Sequence, residues 1–203
     1  MQSVYGFVVT PKGSRYNNTK NIDGKELIIN SEIYNHQFTN REAIVLEVPK
    51  VNNTNISKGD IVLVHHNVFR RWTDVYGKEK NSKNYFDDDT YIIYQDQIFL
   101  YKTPTPWSRF KESQWNSMPG FCFIQPIKAI GKFDTEQEQP LKGIVIHTDG
   151  SVDKGELVGF TPNSEYEFVF EGKRLYRVYS KFITIKYEYQ GNEEAYNPSF
   201  FFF

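Results

Sequence analysis

The chain of 203 residues is poor in most of the features that announce a chemistry. It has one cysteine, Cys122, and four histidines. A single cysteine excludes an intrachain disulfide framework and a cysteine-rich zinc site. Neither sign of charge is in excess. The 24 Lys and Arg stand against 25 Asp and Glu, for a formal net charge of −1, whereas a dedicated nucleic-acid binder carries a basic surplus. No run approaches the roughly 18 apolar residues of a membrane span. The opening MQSVYGFVVTPKG lacks the basic and long apolar segments of a signal peptide. There is no Gly-rich phosphate loop, no G-x-S-x-G and no H-E-x-x-H. The expectation from these absences is a soluble, cytoplasmic, non-enzymatic protein with no cofactor and no metal.

Aromatic side chains are abundant, with 17 Phe, 14 Tyr and 3 Trp. They bury much area per residue, so the chain can build a core although only 39% of it is hydrophobic. Short runs rich in β-branched and aromatic residues predict strands at Val4–Thr10, Ala43–Val48, Ile61–His65, Thr90–Tyr94 and Ile98–Tyr101. In the second half they predict Gly120–Pro126, Gly143–His147, Leu157–Phe160, Tyr166–Phe170, Arg174–Tyr179 and Ile183–Tyr189. Turn signals separate them, among them Lys58-Gly59-Asp60 and Glu171-Gly172-Lys173. Many short strands with such punctuation predict an all-β barrel or sandwich. The proline-bearing stretch 104–118 predicts a linker, with Trp107 and Trp115 available to dock on a flanking domain.

The two halves repeat. Tyr5–Lys12 (YGFVVTPK) aligns with Pro119–Lys128 (PGFCFIQPIK), and Arg41–Val48 with Leu141–Thr148. Ile56–Val64 (ISKGDIVLV) aligns with Val152–Phe160 (VDKGELVGF), sharing a Lys-Gly-acid turn before a strand. Asp88–Tyr101 aligns with Gly172–Ile185. Four blocks in one order predict two similar domains in tandem. The first half differs by two long polar insertions, 13–40 and 66–87. Long loops on a small domain are usually functional or disordered.

The blocks resemble those of the GroES-type co-chaperonins, small lids of the chaperonin ring. The run Gly6–Lys12 stands where that family's opening strand leads into a mobile loop. Ala43–Val48 is similar to its G-x-V-x-x-V strand, and Ile56–Val62 to its V-K-x-G-D-x-V turn. The closing hairpin is plainest at Glu167–Val178. The resemblance is nearer to the divergent co-chaperonin-like proteins of tailed phages than to the bacterial single-barrel form. It implies two tandem GroES-like small β-barrels, at 1–103 and 119–189, followed by a tail at 190–203. It further implies a homo-oligomer that caps a host or phage chaperonin ring and helps a client such as a capsid protein to fold. The aliphatic tripeptide that docks on the ring would be Leu27-Ile28-Ile29. The chain departs from the family in having Asp23-Gly24 for a Gly-Gly, and Lys25 and Glu26 between it and the tripeptide.

Two other readings stay open. One is a virion structural protein, a capsid auxiliary or tail component, that reuses the barrel for assembly. The other is a nucleic-acid-binding barrel acting through the basic, aromatic loop of Arg70, Arg71 and Trp72 with Lys78, Lys80 and Lys83, although the balanced charge disfavours nucleic acid. Four phenylalanines end the chain, and since an exposed run of them would be a large apolar patch they are expected to bury, either on their own domain, the plainer reading, or with Phe200, Phe201, Phe202 and Phe203 as a subunit contact. His65-His66, in an extended strand, would point to opposite faces and not share an ion. Asp87–Asp89 is expected to be an acidic turn, and Cys122 a small buried hydrophobe.

Overall fold

In the computed structural model the described residues are 3–16, 19–28, 39–104, 114–129 and 137–197, with backbone alone for 19–21, 26 and 28. Among them are seventeen strands and three one-turn 3₁₀ helices, so the chain is all-β. It divides into two compact units, Met1–Trp115 and Asn116–Phe203.

In the first unit the main sheet is built from β1 (Phe7–Pro11), β4 (Glu42–Glu47), β5 (Ile61–Val64), β8 (Tyr85–Asp87), β9 (Thr90–Ile93) and β10 (Ile98–Lys102). Its ladder order is β8-β9-β1-β4-β5-β10. The insertions supply two hairpins outside that sheet: β2 (Thr19–Ile22) with β3 (Lys25–Ile28), and β6 (Arg71–Thr73) with β7 (Glu79–Asn81). The second unit begins with the two-residue strand β11 (Asn116–Ser117). Its sheet comprises β12 (Phe121–Lys128), β13 (Glu138–His147), β14 (Leu157–Phe160), β15 (Glu165–Phe170), β16 (Lys173–Tyr179) and β17 (Ile183–Tyr187). The order here is β15-β16-β12-β13-β14-β17. Strand for strand, the two orders are the same.

The correspondence extends to single residues. In β1–β4 the register is Val8↔Glu47, Val9↔Val45, Thr10↔Ile44 and Pro11↔Ala43, with a bulge between Val8 and Val9. In β12–β13 it is Phe123↔His147, Ile124↔Val145, Gln125↔Ile144 and Pro126↔Gly143, with a bulge between Phe123 and Ile124. The Lys-Gly-acid turns match too. Gly59 and Gly155 have φ of 89° and 91°, backbone that an L side chain rarely adopts. The amides of Gly59 and Gly155 each donate to a carbonyl, those of Val45 and Val145, at 2.8 Å. In return, Val45 N–H donates to Asp60 and Val145 N–H to Glu156, at 2.9 Å in both. Each unit then has a 3₁₀ turn, Gln95–Gln97 or Ser180–Phe182, before its last strand.

Alternation along the strands sends one residue set inward in both units. The second unit's core holds Ile124, Val145, Val158, Phe160, Tyr176 and Val178. By ladder register their counterparts are Val9, Val45, Val62, Val64, Tyr91 and Ile93, all buried. Burying a Val or Ile side chain contributes about 1.5–3 kcal/mol, so this set anchors each unit.

One expectation needs revision, and two gain detail. No ladder among the described residues joins β8 to β10, or β15 to β17, so both main sheets are open in their hydrogen-bonding order and closed barrels are not seen. The linker expected at 104–118 is partly structural. Trp115 lies under the Lys102 ammonium at 4.2 Å within the first unit, whereas Ser117 and Met118 are buried in the second; Trp107 is outside the described residues. The tail expected at 190–203 is in part an added strand-like segment. Ala195 bridges Ile127, Lys128 N–H donates to Glu194 and Tyr196 N–H to Pro126, and the Asn197 amide donates to Gly172. The proposed contact residues Phe200, Phe201, Phe202 and Phe203 lie outside the described residues.

Candidate functional site

Both insertions belong to the first unit, and their bases are clasped together. Tyr16 bridges Thr39 across the mouth of the first insertion and is itself buried. Its hydroxyl accepts from the Arg71 amide of the second insertion at 2.7 Å, and the Arg71 guanidinium lies over its ring. Arg15 Nη2 donates to Asn81 Oδ1 at 3.0 Å and to the Phe69 carbonyl at 3.2 Å. Asn40 closes the mouth from the other side, its amide donating to the Lys12 and Ser14 carbonyls.

Beyond this clasp the first insertion forms the β2–β3 hairpin. Its turn is Asp23-Gly24, with φ of 52° and 76°. Two consecutive positive φ values mark the primed turns that favour Asp-Gly and suit the twist of a tight hairpin. The register is Lys20↔Leu27 and Ile22↔Lys25, which places Ile22, Lys25 and Leu27 on one face. Ile22 is 46% exposed and Leu27 56%. Of the tripeptide read from the sequence, Leu27 is therefore an exposed apolar side chain at the end of a short hairpin. Ile28 is in the same strand, described by backbone alone, and Ile29 is outside the described residues.

The second insertion starts with a break in β5. His65 caps a 3₁₀ turn, His66–Val68, its Nδ1 accepting from the Asn67 amide at 3.1 Å. The turn replaces strand alternation, so the His65 and His66 rings stack at 4.3 Å instead of pointing apart. Phe69 and Val68 plug into the core, Phe69 edge-on to Tyr91 at 4.8 Å. The β6–β7 hairpin then projects outward. Its turn is held by Asp74, whose carboxylate accepts from the Tyr76 and Lys78 amides at 2.9 Å. The Lys78 amide, opposed by partial burial and reinforced by Tyr76 and Lys80, keeps the Asp74 carboxyl below the usual range. At its tip Val75 and Tyr76 are almost wholly exposed.

Between the hairpin and the sheet lies an open groove of about 630 Å³, lined by His65, Asn67, Arg70, Trp72, Ser82, Lys83, Asn84 and Gln97. Its floor is a reciprocal amide pair. Asn84 Nδ2 donates to Gln97 Oε1 at 2.9 Å, and Gln97 Nε2 to Asn84 Oδ1 at 3.2 Å. Asn84 also donates to the Ile92 carbonyl, and Ser82 Oγ to the Val68 carbonyl at 2.5 Å. Gln97 holds the position of Phe182 in the second unit, the last residue before the final strand, where Phe182 packs on the core. The second unit also joins β14 to β15 through Thr161–Ser164 alone. The groove is thus lined by residues of the insertion together with this polar exchange.

The basic loop read from the sequence separates into different roles. Arg71 is committed to Glu79 at 2.8 Å and to Tyr16, and Lys80 to Asp74 at 3.6 Å. Arg70, Trp72 and Lys83 face the groove, and no carboxylate is in its lining. Asp88 and Asp89 form the tight turn between β8 and β9, with φ of 37° and 57°, as an acidic turn was expected there. Cys122 is buried, but not among apolar groups only: its Sγ lies 3.5–3.8 Å from oxygens of Ser180, Ser151, Thr148 and Asp149. Burial would raise the Asp149 carboxyl, yet donors from Ser151, Ser180 and Gly120 outweigh it and lower it. Asn67, Ser82, Asn84 and Gln97 were not singled out from the sequence, since isolated amides and a serine form no motif. The exposed Val75-Tyr76 tip also escaped notice, although Asp74 and Gly77 around it are a turn signal.

Among the described residues no group of three His, Cys, Asp or Glu gathers to hold a metal, and no helix is long and apolar enough to cross a membrane. No protein-family model, curated protein or solved structure matches the chain.

Proposed function

We propose that the chain is a tandem co-chaperonin-like protein that docks on a chaperonin ring through the β2–β3 hairpin. One observation carries the reading. Two aliphatic side chains, Ile22 and Leu27, are exposed on the face that also carries Lys25, on a hairpin between β1 and β4, the place of the ring-docking loop in the family that the sequence resembles. The repeated topology and the paired Lys-Gly-acid turns support it.

The energetics suit a ring. Each aliphatic side chain seated in a groove contributes up to about 1.5–3 kcal/mol. The Asp23-Gly24 turn presets the hairpin, which lowers the ordering cost. Binding per copy is weak, and several copies acting together make it firm. The Arg15 and Tyr16 clasp sets where the hairpin leaves the unit.

The test is co-sedimentation of the full chain with a chaperonin ring, host or phage-encoded, with and without ATP. Nucleotide-dependent binding that Leu27→Asp removes, with the circular dichroism unchanged, is the expected result. Failure to bind any such ring would remove the proposal.

A further inference from the structure

We propose that the groove of the first unit is a nucleotide-recognition site, with phosphate held by Arg70 and Lys83 and the base laid on Trp72. The proposal is independent of the chaperonin reading. It rests on four observations in one place. Arg70 and Lys83 line the groove, are exposed, and have no ion-pair partner among the described residues, whereas Arg71 and Lys80 beside them are paired. Trp72 lines the same groove and is 41% exposed. The lining includes no Asp or Glu to compete for the cations. The floor is rigid, because Asn84 and Gln97 pair with each other, Asn84 with Ile92, and Ser82 with Val68.

Each feature has a use. A guanidinium and an ammonium without carboxylate partners attract phosphate and gain by releasing its counterions. An exposed indole offers a stacking face that any base can use. Asn67 in the lining adds a side-chain amide for sugar or base edges. A groove of about 630 Å³ lies within the size range of small-ligand sites. The second unit, built on the same topology, has neither the insertion nor the amide floor. These features therefore belong to one of the two copies of the fold.

The shared chemistry is one nucleotide unit, which could come as a free nucleotide or within a single strand. The experiment titrates the full chain with dTTP and with a fluorescein-labelled oligo(dT) of about 15 residues, a length within the usual single-strand site sizes, followed by anisotropy or calorimetry. Variants are Arg70→Ala with Lys83→Ala, and Trp72→Leu. Lys12→Ala with Lys58→Ala removes two charges elsewhere in the same unit. The groove variants should lose about tenfold or more in affinity, and the control about twofold or less. With two phosphate contacts, oligo(dT) binding should weaken about sevenfold between about 50 and 200 mM salt. Trp72→Leu should cost at least about fivefold. Binding of dTTP alone identifies a free-nucleotide site, and binding of oligo(dT) alone a single-strand site; either supports the proposal. Absence of binding by both probes, or binding untouched by the groove variants, overturns it. Inorganic phosphate competing as well as dTTP, with Trp72→Leu silent, also overturns it, because the base would then be unread.

Discussion

The repeat allows one substitution to be made twice, in equivalent places, with opposite outcomes. Tyr91 on β9 and Tyr176 on β16 occupy the same register position opposite Val9 and Ile124. Tyr176 donates to the Glu138 carboxylate at 2.7 Å. The Tyr91 hydroxyl is buried with no hydrogen-bond partner among the described residues, with the Arg15 guanidinium 5.4 Å from the ring centre. Tyr176→Phe removes a hydrogen bond to a charged group, a loss of about 1.5–3 kcal/mol. Tyr91→Phe removes a hydroxyl that was buried at a cost of about 1–3 kcal/mol without compensation. It should be neutral or stabilising. Native-state hydrogen exchange at the equivalent Val45 and Val145 amides reads each unit separately. Equal destabilisation of the two units by the two variants would refute this reasoning.

The same pair carries a pH signature. Burial pushes the Tyr91 hydroxyl from 10.0 up to about 12. Burial and the Glu138 hydrogen bond raise Tyr176 further. A pKa raised in the folded state favours folding while the tyrosine is protonated. This contribution is complete below pH 10.0 and is lost as pH rises from there through about 12 for Tyr91, and at higher pH for Tyr176. Each Phe variant should therefore show a flatter alkaline limb of stability than the wild type.

Gly143→Ala should destabilise the second unit by about 1–3 kcal/mol, read by urea unfolding, because the new Cβ would sit 2.4 Å from the Gln125 carbonyl oxygen; a loss below about 0.5 kcal/mol would contradict it. Its counterpart Ala43, opposite Pro11 as Gly143 is opposite Pro126, already carries a Cβ, so the two strand pairs must differ in their clearance there. Arg15→Ala should unclasp the two insertions, seen as faster proteolysis within 13–40 and faster amide exchange at Arg71; an unchanged pattern argues against the clasp. Asn84→Ala should cost about 1–3 kcal/mol in thermal or urea unfolding, because it removes the partner of Gln97 Nε2 and the side-chain donor to the Ile92 carbonyl; a neutral result would mean that the amide floor is not structural.

Much of the main sheets was legible because their signals are local and repeated. Val62-Leu63-Val64 and Val158-Gly159-Phe160 are short apolar runs after a Gly turn, and β5 and β14 lie there. The repeat was legible for the same reason, since matching blocks need matching ladders, but the last block, Asp88–Tyr101 on Gly172–Ile185, is one residue out of the ladder register that makes Tyr91 equivalent to Tyr176. The strands β2, β3, β6 and β7 were not read from Thr19–Ile28 and Arg71–Asn81. These are polar hairpins whose cohesion comes from a turn and a distant clasp, not from burial. The groove was half legible. Arg70, Trp72 and Lys83 stood out by charge and ring, but Asn84 and Gln97 meet only through tertiary folding. Barrel closure depends on long-range pairing of end strands, and no local pattern in Ile183–Tyr189 or Tyr85–Asp87 specifies it.

The most direct test of the account is ATP-dependent binding of the full chain to a chaperonin ring, compared between wild type and Leu27→Asp. The account predicts that wild type binds and that Leu27→Asp, folded by circular dichroism, does not. Wild-type binding that persists undiminished in Leu27→Asp would contradict docking through the β2–β3 hairpin.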